Sequence, residues 1–397
     1  MPSYTYLIIG GGMTAAAAIA GIREVDQAGT IGLIGSDPHP PYDRPPLSKG
    51  LWKDKPLETI WRKFDSHALS LHLGRTARHL DPQKKQVTDD QGTTHTYGKL
   101  LLATGCTPRR LPFGGDQIIY FRTLNDYQRL RGLTERRDSF AVIGSGFIGS
   151  ELAAALAINA KKVTLIFPDD SIGSRMYPAE LAKSLTAYYR DKGVEIVPSS
   201  KVVGCESRNG QSALKIRDAG TQRDREVVVD GVIAGIGVLP NVELAQAAGL
   251  AIDNGIRVDT SLRTNQPDIY AAGDVASFHN PALNQRLRVE HEDNANTMGN
   301  AAGAAMAGRP VSYDHLPFFY SDLFDMGYEA VGEIDARLET FADWKTPNKE
   351  GVIYYLRQGR VRGVLLWNIF GQVDPARQLI ASPGPFTPTD LKGRLHA

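Results

Sequence analysis

The stretches Gly10-Gly11-Gly12-Met13-Thr14-Ala15 and Gly144-Ser145-Gly146-Phe147-Ile148-Gly149 are two copies of one pattern. Each follows an apolar, strand-like run, residues 4–9 or 140–143, and opens an Ala-rich, helix-like run. A strand, a tight glycine turn and a helix N-terminus together make a pyrophosphate cradle. The glycines let the backbone approach the phosphates, and the first-turn N–H groups and helix dipole favour their negative charge. One such motif is a weak signal; two in one chain, each in the right context, are strong. Gly10, Gly12 and Ala15, and Gly144, Gly146 and Gly149, are therefore candidate cofactor-binding positions. Two bound dinucleotides are expected, and the chemistry open to such a pair is hydride transfer.

Working outward, 397 residues exceed a single compact core, so two or three domains are expected. A βαβ start at 4–9, 14–23 and 30–34 is followed by the proline-dense run Pro40-Pro41-Tyr42-Asp43-Arg44-Pro45-Pro46-Leu47-Ser48-Lys49, a rigid, irregular loop. Residues 99–105 read as a buried strand entering a tight turn. A second βαβ start begins at Ser139, with its second strand at 162–167, and closes near 232–241, where Gly237 sits in another glycine turn. Residues 268–274 and a small-residue helix near 294–306 then return to the first domain. The expected fold class is α/β, with two Rossmann-like dinucleotide-binding domains and a C-terminal α+β domain. The boundaries are 1–110 with 237–316, 111–236, and 317–397. In the last, 352–357 and 361–367 around Gln358-Gly359 read as a β-hairpin, 328–334 as a third strand, and 338–349 as a polar loop.

Composition narrows the function. A net charge of +1 gives no reason to expect nucleic acid or an anionic membrane as partner. No apolar run reaches the length of a membrane span, and residues 6–22 lack a basic segment before them, so a cytoplasmic location is expected. The only cysteines, Cys106 and Cys205, form no close pair, which argues against a metal cluster or a dithiol passing electrons onward. Cys106 reads as a small packing residue.

Departures from a bare motif suggest which nucleotide goes where. Asp37 follows the second strand, where a carboxylate accepts adenosine ribose hydroxyls; Ser36 stands one position earlier. Gly273-Asp274, after a buried strand, suits a flavin's ribityl chain, and the next helix would point its dipole at the flavin. With Ala103-Thr104-Gly105 and the first glycine turn in the same chain, FAD is expected there. In the second unit the strand ends in Phe167-Pro168-Asp169-Asp170. Asp169 favours a free ribose 2′-hydroxyl, hence NADH over NADPH, while Arg175 nearby could accommodate a 2′-phosphate.

The string Pro41-Tyr42-Asp43-Arg44-Pro45-Pro46-Leu47-Ser48-Lys49 resembles FAD-dependent NADH reductases that serve ferredoxins, rubredoxins and oxygenases. Ser321-Asp322, Gly327-Tyr328-Glu329-Ala330-Val331-Gly332, Leu366-Trp367-Asn368-Ile369-Phe370 and Phe167-Pro168-Asp169 resemble the apoptosis-inducing-factor family. The resemblance implies a glutathione-reductase-like fold with a C-terminal interface domain. It implies Lys49 and Glu151 as an ion pair beside flavin N5, where an ammonium stabilises incoming negative charge. Phe147 matches an aromatic that shields the flavin until nicotinamide displaces it, and Tyr320 matches a position held by tryptophan in the mammalian member. Glu290 and His291 match a segment near flavin and nicotinamide; Arg44 and Arg122 match positions binding FAD phosphate or ribityl oxygens. The implied activity is hydride transfer from NADH to FAD, with electrons passed to a small iron–sulfur protein or a quinone. The alternative is a redox sensor, in which a long-lived reduced FAD–NAD+ charge-transfer complex controls homodimerisation or partner binding.

Overall fold

The computed structural model describes residues 1–395. The chain divides into two compact units: Met1–Arg44, Glu58–Thr107 and Leu239–Phe318 form one, and Pro45–Leu57, Pro108–Val238 and Phe319–Ala397 the other. The proline-dense loop is thus cut at Arg44, and its second half, with Lys49, belongs to the unit that holds the second glycine turn.

In the first unit Ser3–Ile9 lies at the centre of a parallel sheet, between Ile31–Gly35 and Thr94–Leu102. Leu69–Leu73 extends one edge, and Ile269–Ala271 pairs parallel with the end of Thr94–Leu102. Gln86–Asp89 and Ala77–Asp81 continue from the other half of that strand, antiparallel. The central strand is apolar because the sheet is covered: Leu7 and Ile8 are wholly buried. The helix Met13–Arg23 packs against Glu292–Met306 through small residues. A Cβ at Gly303 would stand 2.1 Å from the Ala18 carbonyl oxygen, and one at Gly21 2.0 Å from that of Asn300. These two helices touch backbone to backbone, which explains the run of Ala and Gly in both.

The second unit holds a five-stranded parallel sheet in the order Glu195–Val197, Lys162–Ile166, Ser139–Ile143, Gly231–Ala234, Ile118–Tyr120. Beside it lies an antiparallel trio, Ser200–Arg208, Gln211–Asp218 and Asp224–Val229. A second five-stranded sheet runs Phe318–Leu323, Met326–Gly332, Arg360–Trp367, Glu350–Arg357, Glu339–Thr346. The hairpin turns at Gln358 and Gly359 with φ of 53° and 73°, both left-handed, as a two-residue turn between right-twisted strands requires. One expectation fails here. The supposed polar loop at 338–349 is largely the strand Glu339–Thr346, paired with Glu350–Arg357. It is an edge strand with most side chains in solvent and a bulge after Trp344, so no alternating apolar pattern marks it. The helix Val373–Ala381 packs Ala376, Leu379 and Ile380 inward.

Candidate functional site

The second glycine turn is built by close backbone contact. Gly144, at φ 99°, sits where a Cβ would lie 2.4 Å from the Gly235 carbonyl oxygen. A Cβ at Gly149 would lie 1.9 Å from the Gly144 carbonyl oxygen, so the helix Phe147–Ile158 starts pressed against its own turn. Gly146 differs: nothing stands within 4 Å of its missing Cβ. Space therefore opens in front of this helix N-terminus, and no side chain caps it. The surface helix Leu124–Thr134 shows the contrast, with Thr123 and Asp126 forming a capping box.

One helical turn further, the same helix presents Glu151, buried to 3% exposure. Its Oε2 accepts a hydrogen bond from Ser48 Oγ at 2.6 Å, and its Oε1 accepts from Ser321 Oγ at 2.6 Å and from Lys49 Nζ at 2.8 Å. The Lys49 ammonium lies 5.3 Å from the Tyr320 ring centroid. Phe147 meets Phe319 edge to face, with centroids 5.0 Å apart. The predicted residues Lys49, Glu151, Phe147 and Tyr320, spread over more than 270 positions of sequence, thus gather in one unit with Gly144, Gly146 and Gly149. Burying a carboxylate costs several kcal/mol. Three charge-assisted hydrogen bonds, each worth about 1.5–3 kcal/mol, offset that cost, so the pair persists only while all its partners remain.

Other candidates in this unit lie elsewhere along the chain. Asp169, at the strand's end, accepts two hydrogen bonds from Arg175 at 3.1 and 3.2 Å. Gly237 has φ 91°, and its carbonyl accepts from the Arg109 N–H. Arg122 precedes the Thr123 cap, its backbone N–H donating to Asp126.

The first unit carries the other set. Gly10, at φ 120°, would place a Cβ 2.0 Å from the Ala103 carbonyl oxygen, and Ala15 is wholly buried behind the turn. The Arg44 guanidinium stands 3.6 Å from where a Gly12 Cβ would be, a cation over the turn. Asn241 bridges Thr104, accepting from its hydroxyl through its backbone carbonyl and donating to its carbonyl through Nδ2, and so braces the Ala103-Thr104-Gly105 turn. Asp37 accepts from the Tyr42 hydroxyl at 2.8 Å and the His39 N–H at 3.1 Å. Gly273, φ 76°, packs on Thr14 and opens a short turn containing Asp274. Arg288 joins Asp274 to the predicted Glu290, donating to the Asp274 carbonyl at 3.1 Å and pairing with Glu290 at 2.6 Å. Its guanidinium also lies 3.3 Å from the Cys106 sulfur. His291 is the N-cap position of the helix Glu292–Met306.

Sequence reasoning missed Ser48, Ser321, Phe319 and Arg288. Ser48 and Ser321 stood inside the strings that carried the resemblance, but a serine has no pattern that announces its acceptor. Among the described residues no cluster of three or more His, Cys, Asp or Glu could hold a metal, and no helix is long and apolar enough to cross a membrane.

Residues 4–308 match the family described as pyridine nucleotide-disulphide oxidoreductase. Residues 302–350 and 345–382 match the C-terminal region of mitochondrion-associated apoptosis-inducing factor. Among curated relatives, apoptosis-inducing factor 1 of Dictyostelium discoideum is 34% identical over 95% of this chain and 78% of its own. The ferredoxin–NAD(+) reductase component of the anthranilate 1,2-dioxygenase system of Burkholderia cepacia is 33% identical over 98% and 97%. Among solved structures, the covalent putidaredoxin reductase–putidaredoxin complex aligns with a TM-score of 0.89 at 29% identity, covering 98% of this chain and 95% of that one. The glutathione-reductase-like architecture with a C-terminal domain is shared with such ferredoxin reductases. With its two glycine turns and its match across residues 4–308, the chain belongs to the pyridine nucleotide-disulphide oxidoreductase family of enzymes.

Proposed function

We propose that this oxidoreductase is an FAD protein that takes hydride from NADH and passes electrons singly to an iron–sulfur protein of the ferredoxin or rubredoxin type, or to a quinone. The observation that carries the reading is the buried Lys49–Glu151 pair, one helical turn behind the second phosphate-binding turn. Residues 1–110 with 237–316 would form the FAD-binding domain, 111–236 the NAD(H)-binding domain and 317–397 the interface domain. FAD would be held by Gly10, Gly12 and Ala15, with Arg44 against its phosphates. Asp37 would take the adenosine ribose, and Ala103-Thr104-Gly105, Arg122, Gly273, Asp274, Glu290 and His291 would take the remaining contacts. The second turn, with Gly237, would hold the coenzyme's pyrophosphate.

When bound, the flavin supplies the conversion of a hydride into two separate electrons. The chain supplies alignment and charge. Phe147 yields its place to the nicotinamide, Tyr320 flanks it, and Lys49 offers an ammonium fixed by Glu151 where negative charge develops. Asp169 keeps Arg175 occupied, which leaves a carboxylate to greet the coenzyme's ribose; this favours NADH over NADPH. The test is anaerobic titration of the yellow protein with NADH. Bleaching at one equivalent, followed by rapid return of colour on adding oxidised ferredoxin, is the expected result; no bleaching overturns the reading.

The match of residues 302–382 to the apoptosis-inducing-factor C-terminal region favours a second reading. There the reduced protein holds NAD+ in a charge-transfer complex and changes its dimerisation. A long-wavelength band lasting minutes in air, with a shift in sedimentation, identifies it.

A further inference from the structure

Glu151 holds more than Lys49. Two segments of the second unit, besides its own helix, meet on its carboxylate. The proline-dense loop brings Ser48 to Oε2 at 2.6 Å and Lys49 to Oε1 at 2.8 Å, and the strand Phe318–Leu323 brings Ser321 to Oε1 at 2.6 Å. Both serines are almost sealed from solvent, Ser48 at 4% and Ser321 at 1% exposure. Ser48 has one other acceptor nearby, the Pro45 carbonyl oxygen at 3.5 Å, which is too long to compete. Each serine is also the chain neighbour of a residue proposed to meet the coenzyme: Ser48 precedes Lys49, and Ser321 follows Tyr320. The Lys49 ammonium lies 5.3 Å from the Tyr320 ring centroid. One carboxylate therefore ties a cation and an aromatic ring, from distant parts of the chain, to the helix that opens the second glycine turn.

A carboxylate bonded to the ammonium alone would hold Lys49 but also cancel much of its charge. Two neutral donors on the same carboxylate change that balance. We infer that Ser48 and Ser321 are positioning residues for hydride acceptance, an inference that rests on the NADH-oxidising reading above. By donating to Glu151 they take up part of its negative charge, so Lys49 stays anchored while its own charge still acts on the reaction. Serine suits both places. A second cation there would compete with Lys49 for the carboxylate, and a methyl group would leave a buried oxygen with fewer donors. Neither serine is assigned a contact with coenzyme; both act through Glu151.

The experiment has two readouts on the flavin-loaded protein. Anaerobic stopped-flow reduction over a range of NADH concentrations separates the limiting rate from the coenzyme Kd. An equilibrium dye titration without coenzyme gives the flavin's midpoint potential. Ser48→Ala and Ser321→Ala should each lower the limiting rate roughly tenfold, leave Kd within about twofold, and move the potential to more negative values. Thr186→Val removes a similarly buried hydroxyl of the same unit, one that bonds the Ala182 carbonyl and the Ile172 N–H, and should move neither rate nor potential. The decisive arm is the Glu151→Gln background, where no carboxylate charge remains to be shared. There both serine substitutions should lose their effect on rate and potential. Should an alanine variant fail to fold, Ser48→Cys or Ser321→Cys keeps a weak donor of similar size and should show the same pattern, reduced in extent. Effects that persist in full in the Glu151→Gln background, a change confined to Kd, an unchanged rate and potential, or equal effects in Thr186→Val each overturn the inference and leave the NADH reading intact. Failure of NADH to bleach the unsubstituted protein overturns that reading, and the inference with it.

Discussion

The two glycine turns share their construction and differ in what stands over them. Gly10 and Gly144 are both left-handed residues pressed against a carbonyl of a neighbouring segment, Ala103 or Gly235. Both helices start on a glycine N-cap with no side-chain cap. Over the first turn lies the Arg44 guanidinium; over Gly146 lies nothing. Seven residues past the first glycine the first helix has Ala17 and the second has Glu151. Ala17 serves close helix packing, its Cβ lying 3.0 Å from a would-be Cβ of Gly299, while Glu151 anchors Lys49. On the proposed function, the same fold element would serve once for retention and once for exchange. A cation over the turn suits a group that stays; an open turn with a buried ion pair behind it suits one that comes and goes.

The largest expected effect comes from filling the open turn. Gly146→Val should abolish reduction by NADH, raising the coenzyme Kd at least a hundredfold, while flavin content and Tm stay as they are. A branched side chain at a position with free space and negative φ perturbs only what would bind there. Absorbance of the purified variant and a coenzyme titration check this; loss of flavin along with coenzyme would erase the distinction between the turns. Lys49→Ala should slow anaerobic flavin reduction by roughly one to three orders of magnitude while flavin remains bound. It also leaves Glu151 as an uncompensated buried charge, a cost of about 3–5 kcal/mol. The double variant Lys49→Met/Glu151→Gln removes both charges, so it should regain stability but not rate. Recovery of the rate would take the ion pair out of the chemistry.

Arg44→Met should act on the other turn alone, weakening flavin retention roughly ten- to a hundredfold, as expected for one charge-assisted contact. Flavin fluorescence released on dilution measures it, and the KM for NADH should not move. If instead coenzyme affinity falls and flavin stays, the assignment of the two turns is reversed.

Much of this comparison was legible in sequence because glycine turns announce themselves through backbone demands that only glycine meets. The spacing from Gly10 to Ala15 and from Gly144 to Gly149 carried the parallel sheets with it, since each turn needs a strand before and a helix after. The edge strand Glu339–Thr346 was hidden, because half-solvated strands lose their alternation. What lay behind the second turn was legible only through resemblance. Nothing local distinguishes Lys49 or Glu151 from surface residues; their meaning arises from Ser48 and Ser321, the latter 170 positions from Glu151, closing around one carboxylate. Likewise the membership of residues 45–57 in the second unit follows from packing such as the Trp52 indole against Tyr127, which no linear pattern records.

The smallest predicted effect separates the stability of the units rather than their turns. At the end of the strand Gln86–Asp89, Asp89 is buried, which by itself raises its pKa; hydrogen bonds from His95, Arg75 and the backbone N–H groups of Thr93 and Gln91 more than offset this and hold it at about 2. The ordinary value is 3.8, so in the unfolded chain the carboxyl takes up a proton first as pH falls. Its stabilising contribution is complete above about pH 4 and disappears as pH drops toward 2. Asp230 plays the corresponding part in the second unit: burial raises its pKa, but hydrogen bonds from Ser139, Gln211 and the N–H of Asp138 outweigh this and hold it low. Asp89→Asn should therefore lower Tm at neutral pH but flatten its fall between pH 4 and 2.5 by a few °C, on the scale of one carboxylate in a unit of this size. Asp230 would still drive the remaining acid transition. A variant whose Tm falls as steeply as that of the unsubstituted protein would take Asp89 out of the acid transition.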